Sequence, residues 1–316
     1  MNRILVVGAP RSGTSWVEQT MRAAPGTGGV GEPDNEDNFP FALKAKRGLG
    51  RYPVVCPDAA PPSQYVQLWE GAFRGGRHPL APPHLAALAL HRLAKQRTSV
   101  EGRAAWSATR QRMLEMSAAL SGPCAPRRAD TIVVKSVFAT FALPWICETW
   151  APRLVLTTRS PLNIVASWRR LGWERPFANH PLLADDPAPV LQQIAPRLLL
   201  PPLPDLSDSL GRLTWELGAI TAMLHEVARR RPGTLILRHE ELCADPFGRF
   251  RELFERLGLR WSSSVERYLT GRDRPGSRPY DTARIAAEEP TRWQATLRDP
   301  EVTHITDVAA GFGSPW

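Results

Sequence analysis

From Gly8 to Ser15 the chain reads Gly-Ala-Pro-Arg-Ser-Gly-Thr-Ser, a glycine-bounded turn that runs into hydroxyl side chains. Set between an apolar run (Ile4 to Val7) and a helix, such a turn points backbone N–H groups at one spot. The helix dipole favours negative charge there. The glycine spacing is that of a nucleotide P-loop, but Thr14 stands where that loop carries the lysine that reaches the β- and γ-phosphates. The cation sits inside the turn instead, as Arg11. A second set, Arg159, Pro161 and Ser167, offers a forked donor and a hydroxyl to one phosphate if a helix follows Arg159. Lys135 ends the apolar run 132–134 in a chain whose 40 basic residues include only the lysines 44, 46, 95 and 135. Glu32, between Gly31 and Pro33, supplies a carboxylate that takes a proton if burial raises its pKa. Together these residues suit in-line transfer of an anionic group to a hydroxyl. Each also has a plain structural reading: Arg159 and Lys135 as surface cations, Glu32 as a loop glutamate, Trp16 as a packing ring.

These residues need strands to carry them. Apolar runs at 3–7, 132–135, 153–158 and 235–237 read as buried strands. Helical patterns run over 15–24, 84–97, 103–120, 141–150, 162–171, 210–231 and 247–257. Residues 25–38 read as a loop on their Gly, Asp and Asn content, and the last fifty as Arg-rich and irregular. Strands alternating with helices predict an α/β fold: a P-loop-like parallel sheet, helices on both faces, ligands at the carboxyl ends of the strands. The expected organisation is one domain over 1–316, with a mainly helical insertion at 39–130 and a Pro-rich loop at 176–208. Both interruptions are expected to bind the acceptor.

Of the 316 residues, 43% are hydrophobic and 22% charged, enough for a sizeable core. The net charge of +9 points to anionic partners, although a strong preference for arginine over lysine accounts for part of it. No zinc-finger spacing or aromatic-basic strand motif marks a nucleic-acid binder. Cys56, Cys124, Cys147 and Cys243 are scattered and read as reduced packing thiols. With no run near the roughly 20 apolar residues of a spanning helix, the expected setting is cytoplasmic.

Three ordered segments carry a family resemblance. Gly8-Ala9-Pro10-Arg11-Ser12-Gly13-Thr14-Ser15-Trp16 resembles the 5′-phosphosulfate loop of sulfotransferases that use 3′-phosphoadenosine-5′-phosphosulfate (PAPS). Arg159-Ser160-Pro161 with Ser167 resembles their 3′-phosphate site. Leu237-Arg238-His239-Glu240-Glu241-Leu242 with Asp245-Pro246 resembles a later strand of the family. The Gly31-Glu32-Pro33 element and Lys135 are closer to the carbohydrate and tyrosyl-protein branch than to the cytosolic one, in a bacterial member. The resemblance implies PAPS as co-substrate, a small-molecule hydroxyl acceptor, and no metal. It implies binding by Arg11, Ser12, Gly13, Thr14, Ser15, Trp16, Arg159 and Ser167. Catalysis would fall to Glu32, Lys135 and Arg11. Histidines 78, 84, 91 and 180 are rival bases, and Asp34 and Glu36 lie close enough to be mistaken for Glu32. Two departures stand out. His239 replaces a commoner tyrosine, and no Arg-Lys-Gly triplet marks the late 3′-phosphate donors, leaving arginines 272, 274, 278 and 292 as candidates. The competing functions are a P-loop kinase of a small molecule and a non-catalytic nucleotide-binding protein.

Overall fold

In the computed structural model of the chain, residues 1–55, 60–74, 82–95, 103–127, 129–173, 198–205, 207–276 and 283–313 are described. Strand β1 (Asn2–Gly8) is the centre of a five-stranded sheet with the order β2 (Thr27–Gly31), β3 (Thr131–Ser136), β1, β4 (Arg153–Thr158), β5 (Leu235–Arg238). Every pairing is parallel. A strand covered on both faces has to be apolar in both directions, and β1 is: Leu5 and Val7 enter one core, Ile4 and Val6 the other.

Four helices, α1 (Thr14–Arg22), α9 (His239–Ala244), α10 (Pro246–Leu257) and α11 (Ser263–Arg272), cover one face through Val17, Met21, Leu242, Phe250, Phe254 and Leu269. The opposite face carries α3 (Ser63–Arg74), α6 (Leu143–Trp150), α7 (Pro161–Arg170) and α8 (Ser209–Arg230), with Trp69, Phe73, Trp168 and Trp215 in its core. The expected α/β class with helices on both faces is what the structure has.

The register aligns the strand ends. Lys135 of β3 lies between Val6 of β1 and Gly31 of β2, and Gly8 lies opposite Thr157 of β4. The anion loop, Glu32, Lys135 and Arg159 therefore issue from neighbouring strand ends on one edge of the sheet.

Two expectations need correction. Residues 27–31, read as loop, form the edge strand β2. Its glycines hid the strand pattern, yet they are needed: a Cβ on Gly29 would run into the Val133 carbonyl oxygen, and one on Gly28 would lie 2.8 Å from that of Arg127. The last fifty residues are largely helical: the end of α11, a 3-10 run at Ala286–Ala295, and α12 (Asp299–Ala310). Few of their side chains are buried (Ile305 and Ala309 in α12), so no apolar period showed. Asn163 of α7 pins the 3-10 run, donating to the Pro290 carbonyl at 2.9 Å and accepting from the Trp293 N–H at 3.2 Å.

The insertion at 39–130 holds α2 (Pro40–Ala45), α3, α4 (Pro82–Lys95) and α5 (Arg103–Leu120). Of the Pro-rich segment 176–208, only 198–205, 207 and 208 are among the described residues. No described helix is long and apolar enough to cross a membrane.

Candidate active site

The turn after β1 closes by Ser12 N–H donating to the Ala9 carbonyl at 3.0 Å. Arg11 (φ 74°) and Gly13 (φ 98°) take the left-handed conformation that turns the N–H groups inward ahead of α1. Gly13 cannot be replaced cheaply, because a Cβ there would sit 2.5 Å from the His239 ring. Ser12 is buried and shares a hydrogen with Thr157 Oγ1 at 2.7 Å, tying the loop to β4. Trp168 Nε1 donates to the Pro10 carbonyl at 2.9 Å and ties it to α7. Thr14, Ser15 and Trp16 open α1 and line the cleft above. The result is a glycine-dependent turn, tied to β4 and α7, whose side chains line the cleft.

Side chains alternate along β3, so Lys135 faces the same side as Val133, toward α1. Its ammonium donates to Ser15 Oγ at 3.1 Å and to Glu32 Oε1. Glu32 follows Gly31 with φ 55°, and its N–H donates to the Lys135 carbonyl, extending the ladder by one bond. Asn35 Nδ2 donates to the other carboxylate oxygen at 2.7 Å. The sequence reading made Glu32 a base on condition that burial raised its pKa. Burial does push it up, but the Lys135 ammonium, its hydrogen bond and the Asn35 amide outweigh burial. The carboxyl is held below the usual carboxylate range.

Arg159 and Ser167 were expected to hold one phosphate together. In the structure Arg11 links the two: its Nε donates to Ser167 Oγ at 3.0 Å. Arg159 donates to the Arg11 carbonyl at 3.0 Å and pairs with buried Glu289 at 2.9 Å. Glu289 also pairs with Arg292, and Arg284 lies 3.8 Å from it. Arg170 belongs to the same group: burial and the positive charges of Arg292, Arg159 and Arg284 lower its pKa, against Glu289. Three guanidiniums, those of Arg159, Arg284 and Arg292, thus share one carboxylate. Burial pushes the Glu289 carboxyl up, and the arginines more than reverse it.

These features open into one cleft of about 1380 Å³. That exceeds the roughly 300–1,000 Å³ of a single small-ligand pocket. His239 borders it. Burial and the charges of Arg159 and Arg11 push its imidazole well below 6.5, so it is neutral, and its ring meets Trp16 edge-on at 6.0 Å. Trp16 also packs edge-on against Phe250 at 5.2 Å, so packing and cleft lining coexist in one ring. Of the late arginines, Arg272 lines the cleft and donates to Gln19 at 3.1 Å, Arg274 turns to the Gly271 carbonyl, and Arg278 lies outside the described residues.

Among the rival bases, His91 is buried beside Ser117, away from the cleft, and His78 and His180 lie outside the described residues. His84 is on α4, and its side chain is likewise outside them. Asp34 is buried and Glu36 half-buried beside the Glu32 loop, and neither lines the cleft.

Sequence reasoning missed Glu18, Arg51, Arg284 and Glu289. Glu18 is buried on α1, paired with Arg22 at 2.9 Å, and its carboxyl is pushed up by burial against Arg22 and Lys135. Two of them left a local signal: Glu289 its spacing of three from Arg292, and Glu18 its spacing of four from Arg22. From the insertion, Phe39 and Arg51 reach the cleft. Among the described residues, no group of three or more His, Cys, Asp or Glu side chains could hold a metal ion.

No protein-family model and no curated protein matches the chain. Among solved structures, it is similar to the sulfotransferase domain of the Synechococcus PCC 7002 olefin synthase. Identity is 12% over 100% of this chain and 96% of that one, with a TM-score of 0.47. The sulfotransferase domain from the curacin biosynthetic pathway gives 12% identity, 99% and 98% coverage, and 0.47. Sulfotransferase STF9 from Mycobacterium avium gives 13% identity, 98% and 75% coverage, and 0.44. Likeness at this level leaves the chemistry to rest on the cleft itself.

Proposed function

We propose that the chain is a PAPS-dependent sulfotransferase that moves a sulfuryl group to the hydroxyl of a small-molecule acceptor and releases 3′,5′-ADP. The observation that carries this reading is that two groups of cations and hydrogen-bond donors sit at one cleft. One is the turn at the α1 N-terminus with Lys135; the other is the arginine group around Glu289. A ligand with phosphate at both its 5′ and 3′ ends satisfies both. A nucleoside triphosphate needs the P-loop lysine, and Thr14 stands in its place.

In this reading the residues of the turn (Arg11 to Ser15) hold the 5′-phosphosulfate, and Trp16 borders the base. Ser167 with Arg11, and the arginines 159, 284 and 292, receive the 3′-phosphate. The acceptor oxygen forms a bond to sulfur as the sulfur–phosphate oxygen bond breaks. The acceptor proton goes to Glu32, and the phosphate leaves as an anion. Lys135 has two roles. Unliganded, it holds Glu32 ionised; when its ammonium turns to the sulfuryl oxygens, burial of Glu32 is less opposed and the carboxylate becomes more basic. The leaving group is already a stable anion, so the residues present can do this without a metal. The free thiols Cys124, Cys147 and Cys243 suit a cytoplasmic enzyme.

The test is a turnover screen: PAPS with sugars, phenols, lipids and natural products, following 3′,5′-ADP release. Acceptor-dependent release that survives EDTA supports the reading. Phosphoryl transfer from ATP with magnesium, and none from PAPS, would replace it with the kinase.

A further inference from the structure

The clearest polar group outside the proposed reaction lies on the far side of β3 from Lys135. Ser136 follows Lys135, so alternation turns it to the opposite face, where its hydroxyl donates to Asp34 (2.9 and 2.7 Å to the two carboxylate oxygens). The same oxygen accepts from the N–H groups of Phe138 and Ala139, both at 3.1 Å, and so shapes the turn that leaves β3. Asp34 is fully buried, two residues beyond Glu32. Lys46, buried at the end of α2, donates to the Asp34 carbonyl at 3.1 Å and pairs with Glu36 at 2.7 Å. One carboxylate thus joins the two backbone segments that present Glu32, in its left-handed conformation, and Lys135.

Resting on the sulfotransferase reading above, we propose that Asp34 is a positioning residue: through the Ser136 hydroxyl it locks the end of β3 to the loop after β2, in the arrangement that sets Lys135 against Glu32 and Ser15. It touches neither substrate.

The lock is sensitive to protons. The charges facing Asp34 are Lys46 from α2, and Glu36 and Glu32 from its own loop; Ser136 faces it from β3. Tyr65 of α3 and Tyr52 are also within its field, and both are pushed well above 10, chiefly by burial, with the Asp34 charge adding. Burial raises the Asp34 carboxyl against Lys46 and the Ser136 hydrogen bond, to about 6. Above that pH the carboxylate accepts strongly from Ser136; below it the neutral acid holds Ser136 weakly, and Lys135 shifts.

With four lysines in the chain, [13C-ε]lysine labelling isolates each ammonium-bearing carbon, and Lys135→Arg assigns the one that matters. The expected result on the protein without nucleotide is a Lys135 signal that titrates with a midpoint near 6 in the wild type. It should be flat over the same range in Asp34→Asn and in Ser136→Ala. The Lys46 signal, reporting Asp34 directly, should still titrate in Ser136→Ala and stop in Asp34→Asn; a cooperative thermal transition in both variants shows that they fold. A Lys135 signal flat in the wild type, or one that titrates near 6 in either variant, overturns the proposal. The readout needs no nucleotide, so it can fail while 3′,5′-ADP binding stands, and the reverse.

Discussion

Glu32 and Lys135 form a partly buried ion pair that, in the proposed reaction, acts by separating. Removal of a general base costs about 10²–10⁴ in rate. Glu32→Gln is therefore expected to lose turnover on that scale and to keep 3′,5′-ADP affinity within a few-fold. Lys135→Ala should also lower turnover more than affinity, since its charge serves the moving group. A Glu32→Gln enzyme within a few-fold of wild type would remove the residue from the chemistry. Gly13 offers a separate check. Its positive φ and the nearby His239 ring make Gly13→Ala strained, by about 1–3 kcal/mol. A lowered melting temperature and a loss of 3′,5′-ADP binding are expected, and calorimetry reads both. At this scale the sequence was legible wherever a residue sits in a local pattern: the loop, Lys135 at a strand end, Glu32 beside a proline. Arg51 and Arg284 were not, and of Glu289 only its spacing from Arg292 showed. The Arg159–Glu289 pair spans 130 residues and leaves no local trace.

Among the elements, the junction of β2, β3 and the loop after β2 is where stability and pH meet. Asp34 has a folded pKa near 6 against 3.8 unfolded, so the folded state binds the extra proton. Its contribution is fully present below about pH 3.8 and is lost as the pH rises through about 6, on the order of 2–3 kcal/mol. The unfolding free energy of wild type relative to Asp34→Asn should fall by that order between pH 4 and pH 7 in denaturant titrations. A constant difference across that range would contradict it. The 3-10 run at 286–295 brings Glu289 to the cleft, with Arg292 paired to it, and hangs on Asn163. Asn163→Ala should weaken 3′,5′-ADP more than 5′-AMP. Strands β1, β3 and β4 were legible because burial on both faces made them continuous apolar runs. Strand β2 was not, because close approach to Val133 and Arg127 demanded glycine where a strand pattern shows branched residues. The C-terminal helices lie on the surface with few buried positions, and a weak apolar period hid them too.

Taken whole, the molecule holds one cleft with positive charge at two places. Arg159, proposed as a phosphate ligand, also donates to the Arg11 carbonyl, so Arg159→Ala would disturb the loop after β1 as well. Arg292, half exposed on the 3-10 run, is the cleaner probe. Loss of a charge-assisted hydrogen bond costs about 1.5–3 kcal/mol. Arg292→Ala should weaken 3′,5′-ADP by that amount and leave 5′-AMP almost unchanged. The insertion at 39–130 contributes Phe39 and Arg51 to the cleft, while α3 packs into the core. The acceptor is therefore to be sought with the whole chain present. The most direct test of the account is a calorimetric titration of the wild-type protein with 3′,5′-ADP, 5′-AMP, and ATP with magnesium. The account predicts that 3′,5′-ADP binds far more tightly than either, with or without EDTA. Magnesium-dependent ATP binding tighter than 3′,5′-ADP, or equal affinity for 3′,5′-ADP and 5′-AMP, would contradict it.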